Sequence, residues 1–248
     1  WMNAADLEEA WAPGNEETIG WVYQYFSSEE LEKAFKEARL SGRKFEAKDI
    51  PSVTQLFTPH WIVRYLVENT LGRLWVEMHP DSKLRQQLEY LVPFENTRKV
   101  KLKPVRRIRL LDPACGTMHF GLVAFDLFQG MYQEELEKAG NPGWPDGPSV
   151  ETIAQIPQSI IAHNVHGIDI DLRAVQLSAL TLYLKAKTLN PQAAITETRL
   201  AAGAVHKLRL TRLDAFLDQA GIKQPIHRRV LKTLLERLED SEQLGSLL

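Results

Sequence analysis

The chain has 248 residues, 44% of them hydrophobic and 25% charged, and a formal net charge of −2. That is enough for one sizeable domain, or one domain with a smaller attachment, and excludes a disordered chain. It also argues against a dedicated nucleic-acid-binding domain, which would usually be basic, so any DNA contact has to use local patches or parts not present here. The single cysteine, Cys115, leaves no internal disulfide and fits a reducing cytoplasm, and no apolar run is long enough to cross a membrane. Trp1 precedes Met2, the start is acidic (Asp6, Glu8, Glu9) and unlike a signal peptide, and the end is apolar. Both ends are expected to be cuts in a longer protein.

Residues 16–50 read as helices. Ile19, Val22, Tyr23 and Phe26 recur at helical spacing, and Ser27 followed by Glu30 has the pattern of a capping box opening a second, Glu/Lys-rich helix that ends near Ser41-Gly42. Residues 1–50 are expected to form a helical N-terminal attachment and residues 51–248 the main domain. A third helix should begin at Thr58-Pro59, with Thr58 as cap and an apolar stripe of Ile62, Val63, Leu66, Val67, Leu71 and Leu74. Residues 79–107 are polar and mixed. Their basic run, Lys99, Lys101, Lys103, Arg106 and Arg107, reads as a solvated linker or edge strand in preference to a DNA-backbone contact.

From Ile108 the pattern alternates strand and helix, the mark of an α/β fold with a parallel sheet. Ile108 to Leu111 reads as a strand running into Asp112, 119–138 as a helix, 140–148 as a surface loop and Val165 to Asp169 as a second strand. Asp171 can cap the helix that follows, on which Leu172, Val175, Ala179, Leu182, Ala186 and Leu189 alternate steps of three and four. Residues 195–203 read as a third strand. A charged amphipathic helix with Val230, Leu234 and Leu238 follows Pro225.

The strongest chemical signal is Leu111-Asp112-Pro113-Ala114-Cys115-Gly116-Thr117-Met118-His119-Phe120. It lies at the carboxyl end of a strand, in the turn before a helix, where an α/β fold puts its ligand. Ala114 and Gly116 let backbone come close to a bound molecule, and the amides of the helix start can hold a carboxylate. Asp112 can meet a cationic amino group or simply cap a turn. Asp169, at the tip of the second strand in Gly167-Ile168-Asp169-Ile170-Asp171, is placed to accept both hydroxyls of a ribose. The glycines lack the G-x-G-x-x-G spacing of a pyrophosphate site, which argues against a nicotinamide-dependent oxidoreductase.

These segments together resemble a known family. Asp112-Pro113-Ala114-Cys115-Gly116 is similar to the first motif of amino-group-modifying, adenine-specific DNA methyltransferases. Gln55-Leu56-Phe57-Thr58-Pro59 is similar to the motif those enzymes place upstream of it, and Gly167 to Asp171 to their second motif. Gly20 to Phe26, Thr117 to Gly121 and the final five residues resemble the BREX phage-defence (PglX-like) and large restriction-associated branch. The resemblance implies a partial Rossmann-like class I methyltransferase fold, the cofactor S-adenosyl-L-methionine, double-stranded DNA as the substrate of the full-length protein, and defence-system subunits as possible partners. It implies that Phe57 and Thr58 contact the methionine part of the cofactor, that Asp112, Ala114, Gly116 and Thr117 line its loop, that Asp169 holds the ribose and that Ile170 packs on the adenine. Met118 stands where the first motif usually has a second glycine. The third-motif stretch, Thr198 to Gly203, has no acid, Asp214 being the nearest later candidate.

The family's Asn/Asp-Pro-Pro-Tyr/Phe catalytic motif does not occur in these 248 residues, so the chain is expected to bind cofactor weakly or not at all and not to methylate alone. The alternative is a structural or regulatory cofactor-sensing module of a defence complex. The histidines show no metal-ligand spacing: His163 and His166, read as one strand, would point to opposite faces, and no metal site is expected. Cys115 reads as a small loop residue with no pairing base. Trp21, Tyr23, Tyr25 and Phe26 read as helix core, and His119 and Phe120 as anchors of the loop against the sheet.

Overall fold

A computed structural model describes residues 8–12, 15–42, 45, 49–54, 58–95, 100–203 and 213–238. The chain divides into two compact units, one of residues 1–25 and 56–203 and one of residues 26–55 and 204–248. The boundary expected at residue 50 falls inside the second unit, and the segment before Phe26 belongs with the sheet.

The first unit is mixed α/β. Its parallel three-stranded sheet has the order β1 (Leu110–Asp112), β2 (Val165–Asp169), β3 (Arg199–Ala202), with Asp112 opposite Gly167 and Asp169 opposite Ala202. Before the sheet come α1 (Thr18–Phe26, its last residue in the second unit), α4 (His60–Val67) and α5 (Arg73–Met78), and between the strands α6 (His119–Lys138), α7 (Ile156–His163) and α8 (Leu172–Leu189). The second unit holds α2 (Ser28–Ser41), α3 (Ile50–Thr54), α9 (Leu213–Gln219) and α10 (Pro225–Leu238). In it Gly42 ends α2 in the left-handed region, and Arg228 on α10 pairs with Asp214 and Asp218 on α9. Leu234 and Leu238 of the expected α10 stripe lie outside the described side chains, and Val230 is exposed.

Several local expectations change. Ser27 is helical in φ and ψ and makes no side-chain cap, because α1 runs into α2 with one residue between them. Pro59, extended in ψ, caps α4 in place of Thr58, and its carbonyl accepts from the amides of Ile62 and Val63. On α1, Trp21, Tyr25 and Phe26 are exposed, so they are not helix core. Lys101, Leu102 and Lys103 are exposed coil and not a strand. His163 ends α7, a helix the periodicity did not separate from the preceding loop, and only His166 is on β2.

Helices α4 and α5 are one rod joined by a π-helical turn at Glu68–Gly72. Val63, Val67, Leu71 and Trp75 are buried at successive steps of four. In a regular helix each such step rotates the side chain by roughly 40°, and the wider turn takes up the drift and keeps the row on the core. Leu66, part of the expected stripe, is left exposed.

Helix α6 is the centre of the core and packs on β1 and β2. It carries two buried acids. Glu134 accepts from Trp75 Nε1 at 2.8 Å, Ser82 Oγ at 2.6 Å and the Lys83 amide at 2.6 Å. Glu135 accepts from the amides of Val105 and Ser149, both at 2.7 Å. Asn164, fully buried before β2, donates to the carbonyls of Val105 and Ile108 and accepts from Tyr132. The 140–148 loop is not wholly on the surface: Trp144 is buried, stacked at 4.0 Å on His79, whose other neighbour is Trp75 at 4.2 Å. No described helix is long and apolar enough to cross a membrane.

Burial holds the His79 imidazole below the ordinary histidine value of 6.5, against the pull of Asp81 and Glu134. The unfolded chain therefore takes up this proton at a higher pH than the folded one. The stability due to neutral His79 is complete above 6.5 and is lost as pH falls from there towards the folded pKa. The melting temperature should fall as pH is lowered through that window, and more steeply in the wild type than in His79→Phe. Equal slopes for the two proteins would reject the assignment.

Candidate cofactor-binding site

The site is built where β1 and β2 end. The turn after β1 is held by the neighbouring strand: the Cys115 amide donates to the Ile168 carbonyl at 3.0 Å, and the Gly116 amide donates to Asp169 Oδ2 at 2.8 Å. From the other side Ser178 on α8 donates to the Gly116 carbonyl at 2.7 Å. This close approach requires Gly167 on β2, since a Cβ there would stand 2.9 Å from Cys115 Sγ and from Leu200 Cδ2. Gly116 has φ +51 with nothing within 4 Å of where a Cβ would be, so the backbone presents an open surface.

The two acids differ. Asp112 Oδ1 accepts from the Ala114 amide at 3.1 Å, the turn-capping role, while its Oδ2 is buried with no hydrogen-bond partner among the described residues. Burial, reinforced by Asp169, pushes its carboxyl above the ordinary carboxylate value, against the Ala114 amide. Asp169 is already engaged through Oδ2 with Gly116 and through Oδ1 with the Asp171 amide at 2.9 Å. A carboxylate oxygen has two lone pairs, so both can accept again. Asp171 caps α8 through Oδ1 to the Arg173 amide and also holds Arg173 and the Tyr23 hydroxyl, the latter at 2.5 Å.

Of the residues singled out from sequence, Asp112, Ala114, Gly116, Thr117, Asp169 and Ile170 lie at the carboxyl ends of β1 and β2 or just after them, with Thr117 buried and Ala114 and Ile170 exposed. Thr58 precedes α4, whose first residue is tied to the same region by Glu17. His60 Nδ1 is 2.8 Å from Glu17 Oε1, and Nε2 of His119, the first residue of α6, is 3.1 Å from the same oxygen. Burial raises the Glu17 pKa, but the two imidazoles more than offset it and hold the carboxyl below its ordinary value. Phe57 lies outside the described residues. Asp214 is on α9 of the second unit, and β3 itself carries no acid.

Sequence reasoning missed Glu17, Tyr23 and Ser178 as parts of this site. Each acts across a long stretch of chain, 148 residues for Tyr23 to Asp171 and 62 for Ser178 to Gly116, so no local spacing marks them. Burial pushes the Cys115 thiol up to about 11, which disfavours the thiolate that a nucleophile needs.

Met118 caps α6 at φ 76, the one positive-φ residue other than glycine among those described, and its side chain is fully buried over Gly121. Replacing it with glycine relieves roughly 1–2 kcal/mol of left-handed strain but removes a core side chain worth about 2–5 kcal/mol. Met118→Gly should therefore lower the unfolding free energy by up to about 4 kcal/mol in urea titration, and a gain in stability would contradict this balance.

No family model matches the chain. It is 36% identical over 191 residues to the adenine-specific methyltransferase BrxX of Escherichia coli O9:H4 (strain HS), a match covering 73% of the chain and 14% of that protein. It is 34% identical over 260 aligned residues to the adenine-specific methyltransferase PglX of Lacticaseibacillus casei (strain Zhang), covering 98% of the chain and 20% of that protein. The chain thus spans a fifth or less of the length of these curated relatives. On the motifs at the sheet edge and on this identity across its length, the chain belongs to the family of the adenine-specific methyltransferases BrxX and PglX.

Proposed function

We propose that this chain is the S-adenosyl-L-methionine-binding part of an adenine-specific DNA methyltransferase of a phage-defence system, and that it does not methylate alone. The observation that carries this reading is the pair of carboxylates at the ends of adjacent parallel strands, Asp112 and Asp169, on either side of the Gly116 turn. Buried Asp112 Oδ2, with no partner, suits the ammonium group of a methionine moiety, and the start of α6 suits its carboxylate. The free lone pairs of Asp169 suit two ribose hydroxyls. Exposed Ile170 offers an apolar surface to an adenine ring, and Thr58, with Phe57, would contact the methionine part. Ala114, Gly116 and Thr117 would line the loop.

In this reading the fold is a partial Rossmann-like class I domain. Support comes from the open side of β1, which pairs only with β2 among the described residues. Beside it runs an apolar groove lined by Leu66, Thr70, Leu74, Leu111 and Phe120. Further strands of a full-length protein would add there, bringing the catalytic motif that this sequence lacks. The bound cofactor supplies the methyl group. What this chain contributes is position: Asp112 and Asp169 fix the two ends of the cofactor, and the tethered turn holds them at a constant separation. The target adenine has to be flipped from the duplex, because its amino group is out of reach within the stack.

Calorimetric titration of S-adenosyl-L-methionine into the chain should give weak, saturable binding. Loss of a charge-assisted hydrogen bond costs roughly 1.5–3 kcal/mol, so Asp112→Ala and Asp169→Asn should each weaken it about tenfold or more. The chain alone should transfer no methyl groups to DNA. Methylation by the chain alone would overturn the division of labour, and absence of binding in both this chain and the full-length parent would overturn the cofactor assignment.

A further inference from the structure

Glu17, His60 and His119 are far apart in the sequence and lie outside the carboxylate pair, yet their side chains converge. One carboxylate oxygen stands 2.8 Å from one imidazole nitrogen and 3.1 Å from another, and all three donor atoms lie within 4.8 Å of one another. We infer that Glu17, His60 and His119 form a binding site for one divalent transition ion of the zinc class.

The donor set is that of zinc sites with three protein ligands, two imidazoles and a carboxylate. Bonds of about 2.0–2.1 Å in a tetrahedron separate the donors by about 3.3 Å, so each imidazole nitrogen, now 2.8 or 3.1 Å from the Glu17 oxygen, would draw back from it by only a few tenths of an ångström. Both histidines can coordinate as neutral rings, His60 through Nδ1 and His119 through Nε2. His119 is buried and His60 half-exposed, which leaves an entry path and an open position for water on the His60 side.

The surrounding charge favours a cation. Glu16 and Asp126 lie beside Glu17, and Lys185 pairs with both, at 3.6 and 2.9 Å. The opposing influence is the positive end of two helices, since His60 opens α4 and His119 opens α6. That influence favours the competing arrangement, a Glu17 carboxylate simply hydrogen-bonded by two imidazoles. An ion here would clamp the segment before α1, the start of α4 and the start of α6 together, and would do so with or without a bound cofactor.

The test uses the untagged chain, stripped with chelator and titrated with Co(II) followed by visible absorption, then with Zn(II) by calorimetry. One equivalent of each should bind, Co(II) giving the intense visible bands of a four-coordinate site and Zn(II) displacing it. His60→Ala, at an exposed position that leaves the core intact, and Glu17→Gln should each weaken Zn(II) binding by about tenfold or more, removal of a ligand exceeding the tenfold typical of an outer-shell partner. Circular dichroism would confirm that both variants are folded. No binding to the folded wild type, or binding unchanged in His60→Ala, would overturn the site in favour of the hydrogen-bonded triad.

Discussion

The structure of the first unit depends on two carboxylates buried in one helix. Glu134 and Glu135 sit on the core face of α6, where an ionised group without donors would be strongly unfavourable. Their donors come from four places: Trp75 within α5, the turn at Ser82–Leu84, Val105 before β1 and Ser149 just after the 140–148 loop. Satisfying them fixes those segments on α6. Asn164 closes the same arrangement by joining Tyr132 of α6 to the carbonyls of Val105 and Ile108, just before β1. The strand and the helix that bracket the candidate site are thereby held to each other by groups remote from it.

The site inherits its geometry from that frame. With β1 and α6 fixed, the chain from Asp112 to His119 has to turn within a few residues, and it does so with Gly116 and Met118 both at positive φ. Glycine takes that conformation freely. Met118 is kept there because its side chain fills the core over Gly121, so packing maintains a strained backbone at the mouth of the site. Two acids of like charge face this turn, one with an oxygen that has no partner and one already sharing protons with the backbone. Both therefore keep acceptor capacity at the mouth of the turn.

The segment before Phe26 is part of this construction. Glu17 reaches the first residues of α4 and α6, and Tyr23 reaches the acid that caps α8. Three helices whose N-termini surround the sheet edge are thus linked to the same short stretch. Its exposed faces, with Trp21 and Tyr25, are a separate matter from this inward role.

Much of this was legible in the sequence. The strand at Val165–Asp169, the helices at His119–Lys138 and Leu172–Leu189 and the cap at Asp171 follow from period, capping chemistry and the clustering of small residues, all of which act within a few residues. The acids at the strand ends could be located for the same reason, because a strand followed by a tight glycine turn fixes where its last side chain lies. The tertiary structure alone decided what those acids face, which buried groups hold them, that Glu17 joins two distant histidines, and that a methionine stands at a left-handed cap. Each of these is a contact between residues separated by tens of positions, and its energy comes from desolvating one group against another. Local spacing carries no record of such a pairing; it exists only once the chain has packed.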